Sequence, residues 1–404
     1  MGFNSWNCFG LECTQDRIAS VAQAMAAKGL ADLGWGYVNI DDGWQGESRN
    51  AEGAVQPDPD AFPDMAGLVE DIHGLGLKAG IYSTPWTRSF GGRPGCSSGV
   101  PRAQIRDESR GWFVGEQTFE EAHARQWAAW GFDYLKYDWN PMDLASGRRM
   151  ARALRRSGRD IFFNPVNSMR DEDPHAWAEI ADAFFLWRER ERGDRDIEDT
   201  WESISGIGFR MSPWRRVARP GHWNDPDMLA LGPVGWGQPR PNRLSPDEQR
   251  THMSLWVLLA APLLIGGDIA RLSESELALL TNPDVLDIHQ DLKGETGARI
   301  ALEEGRQIWA KGLADGSLAV GLFNLEDSPR SMAFRPAAFG LPSLTFAHNL
   351  WTGEALTRVG SSLEAEVPAH GVAFFRVEAE RPIDSSFIDA LQPPPAAGSL
   401  HARY

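Results

Sequence analysis

Residues 134–140 read Tyr-Leu-Lys-Tyr-Asp-Trp-Asn, an apolar strand that ends on a carboxylate. Period-two alternation sets Tyr134, Lys136 and Asp138 on one face, so a cation and an acid point together into whatever space that face lines. That is the layout of an active site. Further acids recur along the chain. YVNIDDGW carries Asp41 and Asp42, GDRDIEDTW carries Asp194, Asp196, Glu198 and Asp199 beside Arg188, Arg190, Arg192 and Arg195, and GHWNDPDML carries Asp225 and Asp227. The second group reads on pattern alone as a solvated run capping a helix, because Asp and Glu favour a first helical turn. The third reads equally as a structural Asx turn around a proline. Two carboxyl groups on different loops can instead serve as nucleophile and general acid for breaking a glycosidic bond.

The elements that must position these groups follow one design over the first 270 residues or so. Apolar runs end on polar residues: YVNIDDGW on Asp41 and Asp42, LKAGIYS on Tyr82 and Ser83, IFFNPVN on Asn164 and Asn167, FFLWR on Trp187 and Arg188, PLLIGGD on Asp268. Between them RIASVAQAMAAKGLADLG, MAGLVEDIHGLG, FEEAHARQWAAWG and GRRMARALRRSG place apolar residues at three-to-four spacing, several closed by glycine. Roughly eight such units predict an α/β fold of the closed (β/α)8 TIM-barrel type, which keeps its chemistry at the C-terminal ends of the strands. An open doubly wound sheet would gather its site at one switch point instead.

Beyond about residue 298 short alternating runs are separated by DG, TG, GSS and AHG turns, which reads as an antiparallel β-sandwich. The expected domains are therefore a catalytic barrel over 1–296, a sandwich over 297–380, and a tail over 381–404, rich in proline and small residues and poorly ordered.

Composition narrows the partners. With 404 residues the chain exceeds one typical core. A net charge of −16 argues against nucleic acid, whose phosphates need a basic face. No run of the roughly 18 apolar residues that span a membrane occurs, so no membrane is expected. The 17 tryptophans mostly fill core and loops, and one or two are suited to stacking on sugar rings. His222 and His252 stand alone without ligand spacing, so neither metal nor cofactor is expected. Cys8, Cys13 and Cys96 are expected as free thiols, with a Cys8–Cys13 bridge as the alternative. Gly95-Cys96-Ser97-Ser98-Gly99 fits G-x-S-x-G, but a nucleophile elbow must join a strand to a helix, and this stretch reads as loop on both sides. The sequence opens at MGFNSWNCFG with an expected strand and no signal peptide, so the chain as given reads as cytoplasmic, while so abrupt a start leaves room for an absent secretory leader. The oligomeric state stays open.

MGFNSWNCFG, YVNIDDGWQ, GLKAGIYS, WGFDYLKYDWN, DIEDTW, GHWNDPDML and THMSLWVLLAAPLLIGGDI, in that order from residue 1 to about 290, resemble glycoside hydrolase family 27, the α-galactosidase and α-N-acetylgalactosaminidase family. The resemblance implies an exo-acting retaining hydrolase of terminal α-D-galactosyl residues on a carbohydrate substrate. Asp138 would be its nucleophile and Asp196 its acid/base. Asp41 and Asp42 would hold the C4 and C6 hydroxyls, Lys136 those at C3 and C4, Trp6 and Tyr82 would form walls, Arg188 would bind near the 2-hydroxyl, and Asp227 would close the pocket. Two departures stand out. Charged residues inserted in RERERGDRDIEDTW make Asp194 a competitor of Asp196 and Arg192 a competitor of Arg188. Asn167 stands at or near a position where many relatives carry a glutamate that reads the sugar's 2-position. An isomaltose-releasing or other α-glucan hydrolase, a β-L-arabinopyranoside hydrolase and an idle sugar-binding protein are the alternatives, and the two retained aspartates argue against the last.

Overall fold

The structure is a computed structural model that describes residues 1–167, 174–185 and 196–392. The chain divides into two compact units, one of Met1–Asp196, Asp227–Asn242 and Leu263–Glu276, the other of Ile197–Pro226, Arg243–Pro262 and Leu277–Tyr404.

The first unit carries the strands β1 (Gly2–Asn4), β2 (Tyr37–Asn39), β3 (Lys78–Ser83), β4 (Tyr134–Asp138), β5 (Phe162–Val166), β6 (Ala183–Phe185) and β7 (Leu264–Ile265), of which all but β6 lie in one parallel sheet. Six of them pair in the order β7-β1-β2-β3-β4-β5. The sheet is prolonged at one end by a parallel bridge between Leu229 and Ile265, and at the other by Asp182, whose amide donates to the Phe163 carbonyl at 3.0 Å. Crossover helices α1 (Gln15–Ala27), α2 (Met65–Gly74), α3 (Glu120–Trp130) and α4 (Leu144–Arg156) follow β1, β2, β3 and β4 in turn. Three are started by side chains that accept an orphan amide: Thr14 from Arg17, Asp64 from Gly67, Asp143 from Ser146. Gly131 ends α3 at φ 92°, a conformation that costs glycine little. Buried faces such as Ile18, Val21 and Met25 on α1 and Leu68, Val69 and Ile72 on α2 cover strands buried in turn through Val38, Ala79, Ile81 and Leu135. Truncating one such residue, as in Leu135→Ala, costs about 2–5 kcal/mol. This is the parallel βα alternation of a (β/α)8 barrel.

Two details differ from expectation. β2 ends at Asn39, so Asp41 and Asp42 sit in the turn beyond it, although the Ile40 amide still reaches the Gly80 carbonyl at 2.9 Å. The stretch around Gly95–Gly99, expected as loop on both sides, leads into an antiparallel hairpin of Ser97–Asp107 and Trp112–Thr118. Pro101 and repeated register shifts break the alternation that would have revealed it. The Ser97 hydroxyl donates to the Pro85 carbonyl at 2.7 Å and accepts from the Gly115 amide at 3.0 Å, so it pins the hairpin's base and forms no nucleophile elbow.

In the second unit the helix Pro246–Leu258 opens with a capping box of Ser245 and Glu248. The sandwich strands are β8 (Ala298–Glu303), β9 (Arg306–Gly312), β10 (Leu318–Asn324), β11 (Arg330–Phe334), β12 (Leu344–Asn349), β13 (Ala355–Gly360), β14 (Leu363–Val367) and β15 (Val372–Ala379). They form an antiparallel sheet in the order β8-β9-β10-β15-β12-β13 and a β11-β14 pair. Val320, Leu322, Phe334, Leu363, Phe375 and Val377 fill the core between them. Residues 197–226, 243–262 and 277–296, expected in the barrel domain, group with this second unit. The tail expected to be poorly ordered from residue 381 begins with structure: Ser386–Leu391 is helical, and Ile383 and Ile388 enter the sandwich core. Two isoleucines at i and i+5 gave no helical stripe long enough to read. The rest of that expectation, from residue 393, lies outside the described residues, as do Trp187 and Arg188 at the expected end of the sixth strand.

Candidate active site

Asp138 closes β4 and is only 7% exposed. Its Oδ2 accepts from the Tyr82 hydroxyl at 3.3 Å and its Oδ1 from Asn167 Nδ2 at 3.0 Å. Tyr82 lies on β3 directly opposite Lys136 in the parallel register, and the Lys136 ammonium stands 5.6 Å from the Tyr82 ring centre. That ammonium donates to Asp41 Oδ2 at 2.7 Å. Asp41 is fixed in turn by its amide, which donates to Ser5 Oγ at 2.9 Å. On the next residue, Trp6, the indole N–H donates to Asp196 Oδ2 at 2.7 Å. Groups carried beyond β1, β2, β3, β4 and β5 thus converge, because every strand is parallel and delivers its C-terminal end to the same side.

The charges act on one another. Burial alone would lower the Lys136 ammonium, but the carboxylates of Asp41, Asp138 and Asp196 outweigh it and hold the group above the ordinary lysine range. Burial, joined by Asp138, Asp42, Asp41 and Asp196, pushes the Tyr82 phenol well above its usual value, so it remains a neutral donor. Burial lifts Asp42 to about 6; hydrogen bonds from Ser89 and the Gly91 amide oppose this, and Asp41 and Asp138 add to it. Asn167, at φ 113°, holds a backbone conformation unfavourable to most side chains, a strain tolerated here while its amide meets Asp138.

Of the residues singled out in the sequence, Trp6, Asp41, Asp42, Tyr82, Lys136, Asp138, Asn167 and Asp196 come together through these bonds and fields. Asp227 is buried in the same unit at φ 85°, with its Oδ1 accepting from the Met228 amide at 2.8 Å. Arg188 and the competitors Arg192 and Asp194 lie outside the described residues. The acidic run divides by role: Asp199, in the second unit, is fully buried and accepts from the Arg243 amide, Nε and Nη2 at 2.8, 3.1 and 2.9 Å, while Thr200 caps the helix Trp201–Gly208. Its carboxylate is structural. Cys8, Cys13 and Cys96 are buried free thiols, and no group of three or more potential metal ligands occurs among the described residues. No described helix is long and apolar enough to cross a membrane.

Sequence reading missed the support of Asp42. The Gly91 amide donates to its Oδ2 at 2.8 Å and the Gly43 amide to its Oδ1 at 3.0 Å. A Cβ on Gly91 would stand 2.7 Å from that carboxylate oxygen and 2.5 Å from Leu11 Cδ2, so the close approach needs glycine. The Gly91-Gly92 pair was the available signal.

The family described as "Alpha galactosidase A" matches residues 5–291, and that described as "Alpha galactosidase C-terminal beta sandwich domain" matches residues 303–377. The α-galactosidase of Cyamopsis tetragonoloba is 34% identical over 93% of this chain and 85% of its own length. The crystal structure of α-galactosidase I from Mortierella vinacea superposes with a TM-score of 0.78 at 27% identity, covering 95% of this chain and 98% of that one. A β-L-arabinopyranosidase from Geobacillus stearothermophilus, in complex with arabinose, superposes with a TM-score of 0.80 at 25% identity, covering 94% and 97%. Matched along both the barrel and the sandwich, the chain belongs to glycoside hydrolase family 27, the α-galactosidase family, and is a glycoside hydrolase of that type.

Proposed function

We propose that this hydrolase removes terminal α-D-galactosyl residues from oligosaccharides or glycoconjugates by double displacement, with Asp138 as nucleophile and Asp196 as acid/base. The observation that carries the reading is the pair of donors on Asp138: the Tyr82 hydroxyl and the Asn167 amide each take one of its oxygens, beside the Lys136 cation. Two donors and a cation stabilise a carboxylate anion and fix its direction, which is what attack on an anomeric carbon needs. The Asp138 oxygen would form a bond to C1 as the glycosidic C–O bond breaks and Asp196 delivers a proton to the departing oxygen. Asp196 would then take a proton from water as that water displaces Asp138.

Asp41, Asp42 and Lys136 would hold the ring hydroxyls at C3, C4 and C6, with Trp6 and Tyr82 as walls. The bond between Lys136 and Asp41 supports this role, because a carboxylate oriented by an ammonium can accept from a hydroxyl without turning away. Asn167 would bear on C2 recognition, Arg188 would bind near the 2-hydroxyl, and Asp227 would close the pocket. The sandwich would be a separate domain beginning near residue 297, a reading supported by the break between the two family matches.

Proton NMR of the sugar as it is released from an aryl α-galactoside tests the mechanism. The α-anomer of galactose should appear first and mutarotate later. First appearance of the β-anomer means inversion and ends the double-displacement reading.

A further inference from the structure

The excursion between β3 and α3 carries an aromatic and guanidinium cluster that the proposed chemistry does not use. Trp86 is fully buried, and Trp112 stacks on it with ring centres 5.8 Å apart and planes at 18°. Phe90 sets its ring against both, at 5.2 Å from Trp86 and 5.0 Å from Trp112. The Arg106 guanidinium lies 5.8 Å from the Phe90 ring centre and 5.4 Å from that of Trp112. The Trp112 indole N–H donates to the Ser89 carbonyl at 3.1 Å, which locks the hairpin to the loop that bears Phe90.

Both ends of this cluster are tied to the site. Gly91, next to Phe90, gives its amide to Asp42, and Arg106 Nη1 donates at 3.3 Å to the carbonyl of Asn140, two residues beyond Asp138. Since β2, β3 and β4 are hydrogen-bonded neighbours, the cluster spans the strand ends that carry Asp42 and Asp138. Phe90 and Arg106 are half-buried, unlike Trp86 beneath them. A half-exposed aromatic face beside an N–H fork suits a pyranose, whose C–H face packs on the ring while its hydroxyls accept from the guanidinium.

We propose that Phe90 and Arg106, held in place by Trp112, form the subsite for the leaving group and take a second pyranose ring. The proposal rests on the α-galactoside reading and names the part of the substrate that reading leaves unplaced. A galactosyl group joined to a sugar would bring that sugar onto Phe90 as Asp138 attacks. A galactosyl fluoride, whose leaving group is a single atom, would bypass it.

The test is the ratio of kcat/KM for an α-1,6-galactosyl glucose disaccharide to that for α-galactosyl fluoride, in wild type, Phe90→Ala and Arg106→Ala. A ratio taken on one preparation is independent of the fraction that folded. We expect it to fall about tenfold in each variant, as loss of one stacking face or one charged donor allows, and to recover in part in Phe90→Tyr. A ratio within twofold of wild type in both alanine variants overturns the subsite. Failure of the wild-type protein to hydrolyse the fluoride overturns the α-galactoside reading itself, and the subsite with it.

Discussion

The indole N–H of Trp6 meets a carboxylate oxygen of Asp196 at 2.7 Å, joining two residues 190 positions apart. One oxygen of the proposed acid/base is thereby oriented by a group that neither gives up nor accepts a proton in the reaction. Trp6→Phe keeps an aromatic wall and removes the donor. A hydrogen bond to a charged group is worth about 1.5–3 kcal/mol, so kcat/KM for an aryl α-galactoside should fall by roughly ten- to a hundredfold. Steady-state kinetics check this; an unchanged value would remove Trp6 from the machinery.

Asp138→Ala should abolish turnover and leave the fold intact. Its carboxylate sits among Asp41, Asp42 and Asp196, so removing it relieves repulsion as well as deleting the bonds from Tyr82 and Asn167. The rate should drop by a factor of about 10² or more. Azide should restore cleavage of an activated galactoside and yield the β-galactosyl azide, because it enters from the face Asp138 vacates. More than about a tenth of wild-type activity without azide would give the nucleophile's role to another group.

Galactose and glucose differ in the direction of the C4 hydroxyl. Carboxylates aimed at the axial group are left unmet by the equatorial epimer, at about 1–3 kcal/mol for each unmet group. Across nitrophenyl α-galactoside, α-glucoside, α-N-acetylgalactosaminide and β-L-arabinopyranoside, kcat/KM should favour the galactoside, over the glucoside by roughly a hundredfold. In its proposed role on the C6 hydroxyl, Asp42 would favour a hexose over arabinose. A faster glucoside would assign the chain to α-glucan chemistry.

Asp42 should leave a mark on stability. Its folded value, about 6, lies above its ordinary 3.8, so between these pH values the folded protein binds more protons than the unfolded chain. Stability from this group is present below 3.8 and is lost as pH rises through about 6. Asp42→Asn lacks that dependence. The difference in unfolding free energy, variant minus wild type, should therefore grow by about 1–3 kcal/mol from pH 4 to pH 7. Urea titrations at the two pH values measure it, and a constant or shrinking difference would show that burial does not strain this carboxylate.

The strand ends were legible because parallel βα units advertise themselves: a short apolar run, a polar terminus, a capped amphipathic helix. Asp138, Tyr82 and Asn167 were all found that way. The Ser97–Thr118 hairpin was not, because its bulges and Pro101 interrupt the period on which strand reading depends. Partnerships were also hidden. Nothing local predicts that Trp6 meets Asp196 or that Gly91 reaches Asp42, since spacing along a chain carries no information about which loops the closed sheet brings together. Asp199 exemplifies the converse, an acid in a charged run whose partner, Arg243, lies well downstream.

The Tyr82–Lys136 register has a practical meaning for change in this enzyme. Neighbouring strands lie about 4.8 Å apart whatever their loops do, so the ladder acts as a ruler that fixes the spacing of Tyr82, Lys136 and Asp138. The excursion over residues 84–119 hangs from that ruler without setting its divisions. Exchange of that one segment would therefore keep the spacing of Tyr82, Lys136 and Asp138 while replacing what Gly91 and Arg106 touch, the Asp42 carboxylate and the Asn140 carbonyl, which makes it the graft point at which a designed change of specificity can be tried.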